Sequence, residues 1–169
     1  MLVQTSKGNF IIREGTIDDL PQLVEVHVTS WNATYPYYHP KPSRELRTMQ
    51  WQKLFNERPG EWFCYVAEKE NGSIVGFASG STYGGDLDFD VELNKIHFFK
   101  DYQRLGLGTI LMRKVVLQFL EKGYKSMLLF ADPDNQNIAF YEKLGGERIL
   151  DKEGKFQGAY GWRELGSLG

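Results

Sequence analysis

A strand read from Leu93 to Phe99 leads through the turn Gln103-Arg104-Leu105-Gly106-Leu107-Gly108 into a helical pattern from Leu107 to Lys122. No other stretch constrains the fold as much. In the helical pattern Lys114, Gln118 and Glu121 make one polar strip, Ile110, Val116, Leu117, Phe119 and Leu120 fill much of the rest, and Gly123 ends it. Met127 to Ala131 then reads as a short buried strand, so the order strand, helix, strand predicts a parallel pair with a helical crossover. A two-glycine turn at a helix start aims several partnerless N–H groups at one point, where the helix dipole adds positive character. Such a point suits a pyrophosphate without any Lys or Arg. Gly106 and Gly108 permit close approach of the backbone and positive φ. Two nucleotide-binding loops fail on the letters: Thr109 and Ile110 stand where a P-loop needs Lys-Ser/Thr, and Leu111 stands where a dinucleotide fingerprint needs its third Gly or Ala.

The rest of the chain reads as one domain over residues 1–169. Phe10 to Arg13 is a first strand; Thr16 caps a helix carrying Leu20, Leu23, Val24 and Val28 on one face to about Asn32. Pro36, Pro40 and Pro42 enforce a loop, and Ser43 opens a second helix through Leu46, Met49, Trp51 and Leu54 that ends at Pro59-Gly60. Trp62 to Glu68 and Ile74 to Ser79 flank Asn71-Gly72, the strongest local hairpin signal. Gly84 to Asp90 is a loop rich in carboxylates. Asn137 to Leu144 is a short helix closed by Gly145-Gly146, and Arg148 to Leu150 with Gly158 to Trp162 forms a last strand pair around Glu153-Gly154.

Composition narrows the function classes. With 41% hydrophobic and 25% charged residues the chain is of ordinary globular type. A net charge of -2, from 20 basic and 22 acidic residues, gives no general attraction to nucleic acid or anionic lipid, and neither is expected as a partner. Met1 to Asn9 lacks a signal-peptide core and no apolar run is long enough for a membrane span, so a cytoplasmic location is expected. Cys64, the single cysteine, sits in the apolar run Phe63 to Val66 and reads as a packed side chain rather than a nucleophile. No metal site is expected.

The motif Gln103-x-x-Gly106-x-Gly108 resembles the signature of the GCN5-related N-acetyltransferase (GNAT) family. Glu92-Leu93, Ile96 to Phe98, and Asn135 followed by Phe140-Tyr141-Glu142-Lys143-Leu144-Gly145-Gly146 fall in the family's order, and Trp31-x-x-Thr34-Tyr35 resembles an element of some members. The resemblance covers nearly the whole chain. It implies an α/β (α+β) fold: a central mixed, mostly antiparallel sheet of six to seven strands, a parallel pair at strands 4 and 5, and about four flanking helices. It implies acetyl-CoA as cosubstrate, with the pantetheine arm along Ile96, His97 and Phe98 and the pyrophosphate on the amides of Gln103, Arg104, Leu105, Gly106, Leu107, Gly108 and Thr109. Asn135, its rival Asn137, and Phe140 would complete the cofactor contacts. Leu105 stands where the family often has a basic residue, which shifts phosphate binding toward backbone amides. Lys100 replaces a frequent proline.

Acetyl transfer needs a neutral amine, whereas a free alkyl ammonium titrates near ~10. By resemblance Tyr141 is the general acid for the leaving thiolate and Glu92, or a linked water, the base. His97 by strand alternation faces opposite to Ile96 and Phe98, which favours a packed histidine. Trp31, Tyr35 and Asp90 are the expected acceptor contacts, and aromatic faces beside the carboxylates of Asp86 to Glu92 would suit a cationic small-molecule amine. Two readings stay open beside the small-molecule enzyme: an acyl-CoA sensor without turnover, and an acetyltransferase for protein N-termini or lysines. The family reading also allows a homodimer.

Overall fold

The computed structural model describes residues 1–168. In chain order the elements are β1 (Leu2–Thr5), β2 (Gly8–Glu14), α1 (Leu20–Thr34), α2 (Arg44–Glu57), β3 (Phe63–Lys69), β4 (Ile74–Thr82), β5 (Val91–Phe98), α3 (Leu107–Glu121), β6 (Met127–Phe130), α4 (Ala139–Lys143), β7 (Glu147–Leu150) and β8 (Phe156–Trp162). The strands form one sheet in the order β1-β2-β3-β4-β5-β6-β8-β7, antiparallel at every junction except β5–β6. The mixed sheet, the parallel pair and the four helices agree with the expectation. The strand count is eight rather than six to seven. The extra strand is β1, whose residues alternate between exposed and half-buried at the sheet edge, so no apolar run announces it. The parallel strands expected as fourth and fifth are therefore β5 and β6.

Two apolar layers hold the helices to opposite faces of the sheet. Leu23 and Val26 of α1 and Trp51 and Phe55 of α2 pack with Val66 and Phe77 on one face. Leu111, Val115 and Phe119 of α3 pack with Ile12, Val91 and Met127 on the other. Central strand β4 is buried through its first seven residues, which is why it reads as a continuous apolar run instead of an alternation. Gly76 on this strand is obligatory, because a Cβ there would stand 2.1 Å from the Phe98 ring. Cys64 is buried as expected, and burial pushes its thiol up to about 12, far from the reactive thiolate range. No described helix is long and apolar enough to cross a membrane.

Thr16 does not cap α1 directly. It precedes a 3-10 turn, Ile17–Asp19, that runs on into α1, and its amide donates to Asp19 Oδ2 at 2.8 Å. Arg13 of β2 donates to both oxygens of the buried Asp19 at 2.8 Å and also grips Glu68 of β3. The guanidinium holds the Asp19 carboxyl below the usual carboxylate range, against an opposing effect of burial. A folded pKa below the unfolded value means stabilisation that is present above about pH 4 and lost as pH falls through the folded pKa. Asp19→Asn is thus expected to cost about 2 kcal/mol at neutral pH. Urea denaturation at pH 7 and pH 3 checks this: the gap between wild type and variant should narrow in acid.

Candidate active site

The site originates where the parallel pair comes apart. Only Val91 with Met127 and Glu92 with Leu128 are in register between β5 and β6, so the β6-facing edge of β5 beyond Glu92 has no strand beside it. A bulge contributes to the bend: Gly80 of β4 pairs with Leu93 while Ser79 pairs with Lys95, leaving Asn94 as the extra residue. A cleft of about 680 Å³ opens at this split, bounded by α1 and α2 at one end and by the glycine turn and α4 at the other. The free N–H and C=O groups of β5 present a sheet edge to an extended ligand.

At the anion end, a 3-10 turn at Lys100–Tyr102 takes the chain out of β5, so Lys100 starts a hydrogen-bonded turn without proline. Gln103 Nε2 donates to Phe98 O at 3.3 Å and straps the turn to the strand. Arg104 and Gly106 have φ of 61° and 78°, and Gly106 is the N-cap of α3. Among the described residues, no amide from Arg104 to Thr109 has a protein acceptor. These are the free donors an anion needs. Arg104 and Lys143 also line this end, so the binding surface carries side-chain charge despite Leu105, which packs against the core. Leu107 is buried in that core and contributes only its backbone.

Asn135 and Asn137 have different duties. Asn135 Oδ1 accepts from the Asn137 amide at 2.9 Å and its Nδ2 donates to Tyr35 Oη at 3.3 Å, tying the loop before α4 to the end of α1. The Asn137 side chain lines the cleft and, among the described residues, has no protein partner. Phe140 lies against Gly108, 3.5 Å from where a Cβ would be. Tyr141 lines the cleft at mid-length, largely buried, its ring 5.5 Å from Phe140 and 5.8 Å from Tyr160. Burial pushes its phenol up to about 12, with Tyr35 and Tyr160 adding to the effect. It stays protonated at any physiological pH.

At the far end, the rings of Trp31 and Tyr35 lie 5.1 Å apart, and the Arg47 guanidinium sits 5.6 Å from the Trp31 ring centroid. His97 faces α1, as alternation predicted, with Nδ1 2.8 Å from Ser30 Oγ and its ring 5.0 Å from that of His27. The Trp51 indole N–H donates to His27 Nδ1 at 3.1 Å. Burial, reinforced by Lys95 and Arg47, pushes His97 down to about 3; burial, then His97, Arg47 and Lys95, pushes His27 down to about 2. Both rings are neutral. Lys95 lines the cleft together with the two histidines, its ammonium destabilised by burial and by Arg47 and supported by Glu92.

Of the residues expected from sequence, the cleft wall includes Trp31, Tyr35, Ile96 to Phe98, Gln103, Arg104, Gly106, Gly108, Thr109, Asn135, Asn137, Phe140 and Tyr141. Glu92 and Asp90 are outside it. Glu92 is half-buried, and burial raises its carboxyl against the opposing Lys95 and Asn94. Asp90 Oδ2 accepts from the amides of Lys125 and Ser126 at 2.8 and 3.0 Å, so it stitches β5 to the approach of β6 and is not free for a substrate. Asp88 pairs with Arg163 at the surface. The expected carboxylate wall opposite the aromatics is therefore absent from the cleft lining; Arg47 and Lys95 are there instead. Sequence reading missed both, together with Ser30 and Lys143. Lys95 left a trace, a lone cation within a strand, whereas Arg47 is one charge among many in a polar helix.

Residues 23–146 match the family model described as Acetyltransferase (GNAT) family. The uncharacterized N-acetyltransferase YuaI of Bacillus subtilis is 28% identical over 93% of this chain and 95% of its own length. A [Ribosomal protein bS18]-alanine N-acetyltransferase of Haemophilus influenzae is 30% identical over 62% of this chain and 69% of its own. In fold, the chain is similar to the PaiA N-acetyltransferase of Thermoplasma acidophilum solved with coenzyme A, with a TM-score of 0.71 at 20% identity, covering 91% of this chain and 98% of that one.

Proposed function

Because the chain belongs to the acetyltransferase (GNAT) family and is an acetyl-CoA-dependent N-acetyltransferase, we propose that it acetylates the primary amine of a small molecule by direct attack in a ternary complex. The observation that carries this reading is the continuity of one cleft from the free amides of the glycine turn, past Tyr141, to the Trp31 and Arg47 end. The residues present suit the cosubstrate. The amides of Arg104 to Thr109, with Arg104 and Lys143, would hold the pyrophosphate; the unpaired edge of β5 from Ile96 to Phe98 would pair with the amide-bearing pantetheine arm; Asn137 would contact that arm. The cosubstrate supplies an activated acyl carbon.

The remaining work is positioning and proton transfer. The amine nitrogen bonds to the acyl carbon as the C–S bond breaks, the amine loses a proton, and the thiolate gains one. Tyr141 supplies the thiolate's proton from its Oη. Glu92 takes the amine's proton through water, since it is not among the residues lining the cleft; its raised pKa makes it a better base than an exposed glutamate. Neutral His27 and His97 keep the floor of the cleft from adding further charge.

Thiol release from acetyl-CoA, measured with small primary amines and with peptides of free N-terminus, tests the reading. Rapid release with the amines is expected. Release with the peptides alone would replace the small-molecule acceptor with a protein one, the activity named for the Haemophilus relative. Tight coenzyme A binding with no amine-dependent release would identify a sensor.

A further inference from the structure

We infer that the acceptor amine carries a carboxylate, and that Arg47 of α2 and Lys95 of β5 hold it at the α1–α2 end of the cleft. This inference rests on the acetyl-transfer reading of the cleft and specifies its acceptor.

The charged groups in the cleft wall divide by position. Arg104 and Lys143 flank the glycine turn and α4, where phosphates are expected; Asp132, the one carboxylate among the described lining residues, has its Oδ1 accepting the Asp134 amide at 2.9 Å and adds to burial in raising the Tyr35 and Tyr37 phenols, but it contributes nothing to the charge balance at Arg47 or Lys95. Arg47 and Lys95 remain, at the opposite end. Neither forms an ion pair with any described residue. Arg47 spends one N–H on Gln50 Oε1 at 3.1 Å and has the Trp31 ring beside it, which leaves the rest of its fork directed at no protein acceptor. The Lys95 ammonium makes no hydrogen bond among the described residues.

Two partly buried cations with no ion-pair partner are an unfavourable arrangement in the free protein, and burial accordingly lowers the pKa of each. A site with that imbalance favours an anion and rejects a further cation. Glu92, outside the cleft lining, offsets only part of the charge at Lys95. Ser30, Trp31 and the neutral histidines supply no other charge. An Arg fork beside a Lys suits a planar carboxylate, with the guanidinium donating in pairs and the ammonium as a point charge. The same field acts on the amine itself: two fixed cations nearby disfavour its ammonium form and make the proton easier to remove. A polyamine would meet repulsion here.

Matched acceptors test this on the unmodified protein. Amino acids with a free carboxylate are compared with the same amino acids as carboxamides and with polyamines, in thiol release from acetyl-CoA. A kcat/KM about 30-fold or more higher for the carboxylates is expected. Arg47→Gln and Lys95→Gln should each raise KM for the carboxylates and abolish the preference over carboxamides, with coenzyme A affinity unchanged. Equal use of carboxamides, or preference for polyamines, would overturn the inference. If no acceptor releases thiol, the acetyl-transfer reading fails separately, and calorimetric binding of N-acetyl amino acids to the coenzyme A complex still decides: binding that needs the free carboxylate and is lost in both variants supports the inference, and binding indifferent to it refutes it.

Discussion

Replacing Gly106 with valine is expected to weaken coenzyme A binding by about 100-fold or more, on the order of 3 kcal/mol, with a much smaller loss of folding stability. Gly106 adopts a φ of 78° as the N-cap of α3. A β-branched residue there is strained by about 1–2 kcal/mol and tends to shift the turn toward negative φ, which would swing the amides of Leu107 to Thr109 off their common point. A Cβ at Gly106 would touch no protein atom within 4 Å, so the free fold has room for the side chain, and Gly106 lines the cleft. Calorimetric titration with coenzyme A, alongside thermal melting without it, separates the two effects. An unchanged affinity would place the pyrophosphate elsewhere.

Tyr141→Phe should lower the maximal rate of amine-dependent thiol release by about 10²- to 10³-fold while leaving coenzyme A affinity unchanged. The ring is packed by Phe140 and Tyr160, so phenylalanine retains the shape of the wall and removes only the hydroxyl. Because burial raises the phenol to about 12, its protonated form persists well above neutral pH. The alkaline limb of the wild-type rate profile should therefore be free of a Tyr141 titration up to about pH 10, where an unperturbed phenol would already be half ionised. Single-turnover rates across that range check both statements. An undiminished maximal rate in the variant would remove Tyr141 from the acid role.

Legibility in the sequence followed the range of the interactions involved. The glycine turn, the hairpin at Asn71-Gly72 and the helix after Ser43 are local, since their signals are φ preference, turn chemistry and capping by neighbours a few residues away. All three are where they were expected; Ser43 Oγ accepts from Leu46 N at 3.1 Å. Strand β1 was missed because its pairing with β2, not its own composition, makes it a strand. The acceptor end was misread for a related reason. Asp86, Asp88 and Asp90 precede β5 closely in sequence and Glu92 lies near its start, but Asp90 is consumed by the amides of Lys125 and Ser126, thirty-five and thirty-six residues away, and Asp88 by Arg163, seventy-five away.

The turn from Gln103 to Gly108 announced by itself only a candidate anion site, because glycine φ preference and free helix-start amides are local; the fold class and the candidate acid came from the resemblance carried by that turn, the strand before it and the segment from Asn135 to Gly146. The sign of charge at the acceptor end was decided only by tertiary structure. It depends on the bulge at Asn94, which sets the face presented by Lys95, and on the packing of α2 over the sheet through Trp51 and Phe55, which brings Arg47 to the cleft. No local pattern encodes either, since a charge acquires its partners, or lacks them, only when distant elements come together.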